Sequence, residues 1–177
     1  MNYNRETLVA KLREQGITYL APSDAKATEN LSSREEFIIA LLNQSDSRLQ
    51  LALISLFIRH PDWAIIVPTL EKKISSTKFL ELQTLYMAAV YLQRLWWTRL
   101  NLYLNNLALL PDLYSSQLGL PPADERFGKA GLYALADVWA ARSPYQFNRL
   151  VSLNKTMDLL FEQLKMESRS HESAATS

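Results

Sequence analysis

Residues 76–105 place apolar side chains around almost the whole circumference of a predicted helix. At about 100° per residue, one narrow stripe of this helix is continuously apolar. The stripe contains Leu85, Ala89, Leu92, Trp96, Leu100, Tyr103 and Leu107. More apolar side chains flank it, at Tyr86, Val90, Trp97 and Leu104 on one side and at Tyr91, Leu95 and Leu102 on the other. Such a helix has to be enclosed by other helices, from its own chain or from a partner.

The rest of the 177-residue chain also predicts helices. There are only 4 glycines, good helix formers fill most positions, and strand-like alternation is missing. We therefore expect an all-α fold, a compact and irregular bundle of about eight helices around the long central one. Residues 1–167 are expected to form a single domain, and residues 168–177 a disordered polar tail.

Polar caps, prolines and glycines predict where the helices begin and end. Asn4 is a predicted N-cap, and Ser32 with Glu35 and Ser33 with Glu36 both have the spacing of a capping box. Small residues at Gly128 and Gly131 would let another helix approach closely. The predicted helical segments are 5–15, 33–43, 45–60, 61–67, 69–74, 76–105, 111–118, 124–142 and 144–167.

Composition excludes several classes of function. With 0 cysteines the chain has no disulfide, thiolate metal site or cysteine nucleophile. The formal net charge of +1 lacks the basic excess typical of duplex-binding domains. The apolar run around residues 82–104 is interrupted by Arg94 and Arg99 and is not a membrane span, and residues 1–16 do not resemble a secretory signal. We expect a cytoplasmic protein without a cofactor or a bound metal.

The polar edge of the long helix predicts a surface for a protein partner or for a second copy of the chain. This edge holds Arg94, Thr98, Asn101 and Asn105, and Trp97 lies next to it. Trp, Tyr and Arg dominate binding hot spots, although a half-buried indole beside a stacked cation at the domain surface is the more ordinary interpretation of Trp97. The residues predicted to bind the partner are Arg94, Trp97 and Asn101, followed by Arg59, Trp63 and Tyr86.

Two alternatives remain open on the sequence. In the first, Arg142, Arg149 and Lys155 of the C-terminal helices contact nucleic-acid phosphates. In the second, His60 is a base oriented by Asp62, although a histidine at a helix C-terminus commonly serves only the last carbonyls. Asp137 could pair with Arg142 or Arg149 across a helix contact.

Two blocks carry a resemblance to known proteins, SDSRLQLALISLFIRHPDW at residues 45–63 and LYMAAVYLQRLWW at residues 85–97. They resemble a group of small helical bacterial proteins whose genes accompany those of minimal nucleotidyltransferases in toxin–antitoxin-like pairs. The resemblance implies a non-enzymatic partner that docks on a nucleotidyltransferase, and it carries over no catalytic residue.

The helical nuclease family HEPN, which often accompanies such transferases, has an arginine followed four to six residues later by a histidine. This chain departs from that pattern. Arg59 and His60 are adjacent, and Arg169 precedes His171 by two residues. The sequence therefore predicts a non-catalytic interaction module.

Overall fold

Helices make up the fold of the computed structural model, which describes residues 3–22, 31–142 and 149–176. These residues contain no strand, and the predicted all-α fold is confirmed. Within the same residues, no helix combines the length and the apolar character needed to cross a membrane. Leucine and aromatic side chains from the helices pack into one continuous hydrophobic core.

The first helices begin at the caps predicted from the sequence. Helix α1 spans Arg5–Glu14, and Asn4 Oδ1 accepts a hydrogen bond from the Thr7 N–H at 2.8 Å. Helix α2 spans Arg34–Leu42, and Ser33 Oγ accepts from the Glu36 N–H at 3.1 Å. Helix α3 spans Ser47–Arg59 and buries a continuous run, residues 52–58.

A single 3₁₀ segment, Pro61–Lys72, replaces the two short helices predicted on either side of Pro68. Proline fixes φ near −65°, a value that a 3₁₀ helix also adopts, so Pro68 does not end the segment. Trp63, Ala64, Val67 and Leu70 point from it into the core.

The central helix α4 spans Ser76–Leu95, ten residues shorter than predicted. Residues 82–93 are buried on every face, so the enclosure expected from the sequence is correct for this part. Beyond Leu95 the prediction is wrong. A four-residue helix, α5 at Trp97–Leu100, and a series of turns follow, and the Leu102 side chain is 76% exposed.

The amide of Gln93 explains why the chain turns back. Gln93 Nε2 donates to the Ala108 carbonyl at 2.9 Å, and the Leu110 N–H donates to Gln93 Oε1 at 2.7 Å. Asn106, in the left-handed region at φ 53°, takes part in the reversal. These long-range bonds satisfy the backbone of the returning segment in place of a continued helix.

Helices α6, Lys129–Arg142, and α7, Arg149–Ala175, complete the fold. Residues 111–120 form turns rather than the predicted helix, since the Asp112 carboxylate accepts from the Ser115 N–H and from the Ala123 N–H. The last helix was predicted to end near Glu167, but it continues to Ala175, so residues 168–175 are helical where we expected a polar tail. The predicted cap at Ser143 and Pro144 lies outside the described residues.

Candidate functional site

The predicted partner surface around Arg94 is only partly present. The Arg94 side chain is 10% exposed, and its guanidinium donates to Asp124 Oδ1 at 2.6 Å and to the Leu110 carbonyl at 3.0 Å. Arg94 therefore holds two segments of its own chain together. Trp97 is half-buried, and the exposed Asn101 side chain donates to the Trp97 carbonyl at 2.8 Å.

Trp63 and Tyr86 are core residues, so their predicted place on a partner surface is wrong. The Trp63 ring packs edge-on against Phe37, with the Arg34 guanidinium 5.1 Å from its centroid. The Tyr86 hydroxyl donates to the Pro111 carbonyl at 2.8 Å, and burial raises the pKa of Tyr86. Both aromatic residues lie on faces that the surrounding helices of the same chain cover.

Arg59 serves an internal contact as well. Its guanidinium donates to both carboxylate oxygens of Glu167 at 3.0 Å and thereby ties α3 to α7. A Cβ at Gly16 would lie 3.1 Å from the same guanidinium, so the end of α1 packs directly on it. Of the six predicted partner-binding residues, only Trp97 and Asn101 have accessible side chains that neither pack in the core nor form an ion pair within the described part of the chain.

The most exposed aromatic side chain of the described residues is Phe127, at 81%. It stands in a turn whose backbone is left-handed at three successive residues. Their φ values are 50° at Arg126, 56° at Phe127 and 84° at Gly128. Glycine adopts this region freely, whereas each L-residue with a side chain costs roughly 1–2 kcal/mol there. We call residues 126–128 the Phe127 turn.

Tyr91 of α4 determines the position of this turn. A Cβ at Gly128 would lie 2.4 Å from the Tyr91 carbonyl oxygen, and a Cβ at Gly131 would lie 1.9 Å from Tyr91 Cε1. The Tyr91 hydroxyl donates to the Pro121 carbonyl at 2.7 Å, and burial raises the pKa of Tyr91. One tyrosine thus contacts both sides of the turn and the chain leading into it.

Hydrogen bonds hold a second apolar segment, residues 109–113, beside residues 123 and 124, which lead into the turn. Arg94 bonds to Leu110 and Asp124 at once, and the Asp112 carboxylate accepts from the Ala123 N–H at 2.9 Å. The Leu109 and Leu113 side chains are exposed on this segment. Burial tends to raise the pKa of Asp112, but hydrogen bonds from Ser115 and Ala123 and the Arg94 charge outweigh it and lower the pKa. We use the name Phe127 surface for Phe127 together with Leu109 and Leu113 on the neighbouring segment, which Arg94 and Asp112 link to residues 123 and 124.

The sequence prediction overlooked this surface because it placed residues 124–128 inside a helix. One signal could have indicated it: Gly128 lies near the start of a predicted helix, where a glycine lowers helix propensity and often marks positive φ. Nothing in the sequence indicates that Arg126 and Phe127 share that conformation.

The three cations of the nucleic-acid alternative have different surroundings. The Arg149 guanidinium is 5.4 Å from the centroid of Trp139 and is half-buried. Arg142 is exposed at the end of α6. Lys155 lines a cavity to which neither of them contributes. Asp137 is exposed and, within the described residues, forms no ion pair with either arginine.

The proposed catalytic pair is not assembled. His60 Nε2 lies 2.7 Å from the Gln15 carbonyl, and the His60 ring packs on Trp63 at 5.5 Å. The Asp62 carboxylate accepts from Arg34 at 2.8 Å instead of orienting the histidine. No group of three or more His, Asp or Glu side chains suited to a metal ion exists in the part of the chain that the structure describes.

No family model, no curated protein and no solved structure matches the chain.

Proposed function

We propose that the protein is a non-catalytic helical interaction module that docks on another protein through the Phe127 surface. The observation that carries this proposal is the combination, at one residue, of a strained backbone and an almost fully exposed phenyl ring. Strained conformations are retained where the surrounding structure enforces them, and they concentrate at functional sites. Aromatic anchors that enter a pocket dominate the energetics of protein interfaces.

The chemistry of the turn defines the partner. A single projecting phenyl ring, with Leu109 and Leu113 on the neighbouring segment, suits an apolar pocket that admits one ring. Arg126 and Lys129 are exposed on either side of Phe127 along the chain, and Glu125 is the one acidic residue among positions 125–129. A complementary rim would therefore carry carboxylates.

The sequence resemblance supplies the first partner to test, a minimal nucleotidyltransferase from the same host. Such a pair would make this chain the non-enzymatic half of a toxin–antitoxin-like system in a bacterial cytoplasm. Trp97 and Asn101, which keep accessible side chains, would lie at most at the margin of the contact.

Site-directed photocrosslinking tests the proposal. p-Benzoylphenylalanine replaces Phe127 in one variant and Ile65, which is 79% exposed on the 3₁₀ segment, in a matched control. We expect the position-127 variant alone to crosslink to the purified nucleotidyltransferase, and Phe127→Gly to abolish co-elution of the two proteins. Crosslinks only between copies of this chain would mean that the surface mediates homo-oligomer formation and not binding of a different protein. Equal crosslinking yields at both positions would refute the proposed surface.

The nucleic-acid alternative has no equivalent support, because its three cations do not line one common cavity and Arg149 is engaged with Trp139. Salt titration separates the two functions. Phosphate contacts weaken steeply between 50 and 200 mM salt, by about three orders of magnitude or more for six contacts, whereas an apolar interface changes little.

A further inference from the structure

A separate cavity of about 440 Å³ lies between the chain that follows α1, the N-terminus of α3 and the middle of α7. Three cationic side chains line it: Arg5, Arg48 and Lys155. Its volume is within the range of small-molecule sites, roughly 300–1,000 Å³.

Carboxylates of the described residues balance only part of the positive charge in the cavity. The Arg5 Nε atom is 3.5 Å from Asp46 Oδ2, so Asp46 compensates one of the three charges. Among the described residues, neither the Arg48 guanidinium nor the Lys155 ammonium forms an ion pair. Among the described lining residues, Arg48 and Lys155 are therefore two cations without a carboxylate partner.

The start of α3 borders the same space. Ser47 and Arg48 occupy the first turn of this 13-residue helix and both line the cavity. Asp46 Oδ1 accepts from the Arg48 N–H at 2.9 Å. The Asp46 carboxylate therefore caps the N-terminus of α3, so the cation that this turn contributes to the cavity is the Arg48 guanidinium.

The remainder of the described lining is partly apolar and partly hydroxylic, with Ser152 and Thr156 among its polar residues. Leu20, Leu51 and Leu159 provide the apolar surface. The Tyr19 hydroxyl lies 3.0 Å from the hydroxyl of the buried Ser55, and burial raises the pKa of Tyr19 to about 12 although the Ser55 bond lowers it. At neutral pH Tyr19 is therefore uncharged, and the described lining combines cationic with apolar side chains.

We propose that this cavity binds a phosphate monoester that carries a small apolar group, with the phosphate between Arg48 and Lys155 and the apolar group against Leu51 and Leu159. A phosphate monoester carries −1.5 to −2 charges at pH 7, about the charge of the two uncompensated cations, whereas a carboxylate carries one. The same headgroup chemistry occurs in free alkyl or aryl phosphates and in phosphatidic acid.

Calorimetric titration with n-hexyl phosphate, inorganic phosphate, n-hexanoate and n-hexanol tests the inference. We expect n-hexyl phosphate to bind at least tenfold more tightly than any of the other three. Each additional methylene, from butyl to hexyl, should increase affinity by up to about fourfold. Equal affinity for inorganic phosphate and n-hexyl phosphate would indicate an adventitious ion only and overturn the proposal, as would the absence of binding by n-hexyl phosphate.

Matched variants locate the site. Arg48→Gln and Lys155→Gln should each weaken n-hexyl phosphate at least tenfold, while Lys165→Gln, an exposed lysine further along α7, should leave it unchanged. An equal loss in the Lys165→Gln variant would mean general charge attraction and refute the site. Because Arg48 and Lys155 are both exposed, these variants should keep the wild-type melting temperature.

Vesicles of phosphatidylcholine with phosphatidic acid distinguish the two sources of the ligand. Co-flotation that n-hexyl phosphate competes away would support the cavity and assign the lipid headgroup. Binding of n-hexyl phosphate without co-flotation would support it and assign a free phosphate ester. Co-flotation that Lys155→Gln does not reduce would contradict the inference.

Discussion

The Tyr91 ring occupies the space where a side chain of residue 131 would stand, because a Cβ built on Gly131 would be 1.9 Å from Tyr91 Cε1. Helices α4 and α6 therefore approach each other at a distance that only glycine permits. This contact positions the Phe127 turn, since Gly128 rests on the backbone of the same tyrosine.

Gly131→Ala should destabilise the protein by about 1–3 kcal/mol, the range for overpacking a core. Helix propensity alone predicts the opposite sign, since alanine in place of glycine stabilises a helix by roughly 1 kcal/mol. Urea unfolding followed by circular dichroism measures the difference. Combining Gly131→Ala with Tyr91→Ala should give less destabilisation than the two single changes added together. Strict additivity would show that the two residues do not compete for space.

Phe127→Gly should stabilise the fold by about 1 kcal/mol, because glycine relieves the left-handed backbone while the lost ring contributes little burial. Phe127→Ala is the matched control: it removes the same ring but retains a Cβ, so its stability should stay close to that of the wild type. Thermal unfolding of the three proteins makes the comparison. A destabilised Phe127→Gly variant would show that the ring contributes to the fold rather than to a contact with another protein.

Arg94 and Asp124 should contribute unequally, although they form one ion pair. Arg94→Met leaves the Leu110 carbonyl without its donor and should cost about 1–3 kcal/mol. The Asp124 side chain is 85% exposed, so Asp124→Asn should change stability by less than about 1 kcal/mol. Denaturant midpoints of both variants, with constant m-values, provide the measurement. Similar losses from the two changes would mean that the ion pair, and not the carbonyl contact, holds residues 109–113.

The Asp112 carboxylate should make stability depend on pH in the acid range. Its pKa in the folded protein is below the ordinary value of 3.8, so the ionised form is favoured by folding. That contribution is fully present above the unfolded pKa and is lost as the pH falls through the folded pKa. The difference in unfolding free energy between wild type and Asp112→Asn should therefore shrink below about pH 4. A difference that stays constant from pH 7 to pH 2.5 would contradict the assignment.

Local rules predicted the parts of the fold that depend on neighbouring residues. Asn4 and Ser33 cap their helices as expected, and residues 82–93 are enclosed because their apolar side chains cover every face of α4. The end of α4 could not be predicted in this way, since Gln93 bonds to residues 15 and 17 positions away. The same periodicity would fit a helix that continued to Asn105.

The candidate site was the part of the structure that the sequence predicted least well. Arg94 was predicted at the polar edge of the helix, but its side chain is 10% exposed, and its partners Leu110 and Asp124 lie in later segments whose return no local pattern specifies. Trp63 and Tyr86 were expected at a surface because aromatic residues favour interfaces, yet they favour cores equally. Exposure of Phe127 follows from the packing of Gly128 and Gly131 on Tyr91, a contact between residues about forty positions apart.

Backbone angles near φ +55° at residues 126 and 127 are close to the mirror image of those in an ordinary α-helix. A D-amino acid would adopt them without strain, so chemical synthesis with D-phenylalanine at position 127 could display the same ring from a relaxed main chain. Among the amino acids used in ribosomal synthesis, glycine is the one that adopts these backbone angles freely. The chain uses it at position 128, where Tyr91 leaves no room for a side chain, and does not use it at the position that presents an aromatic ring to the solvent.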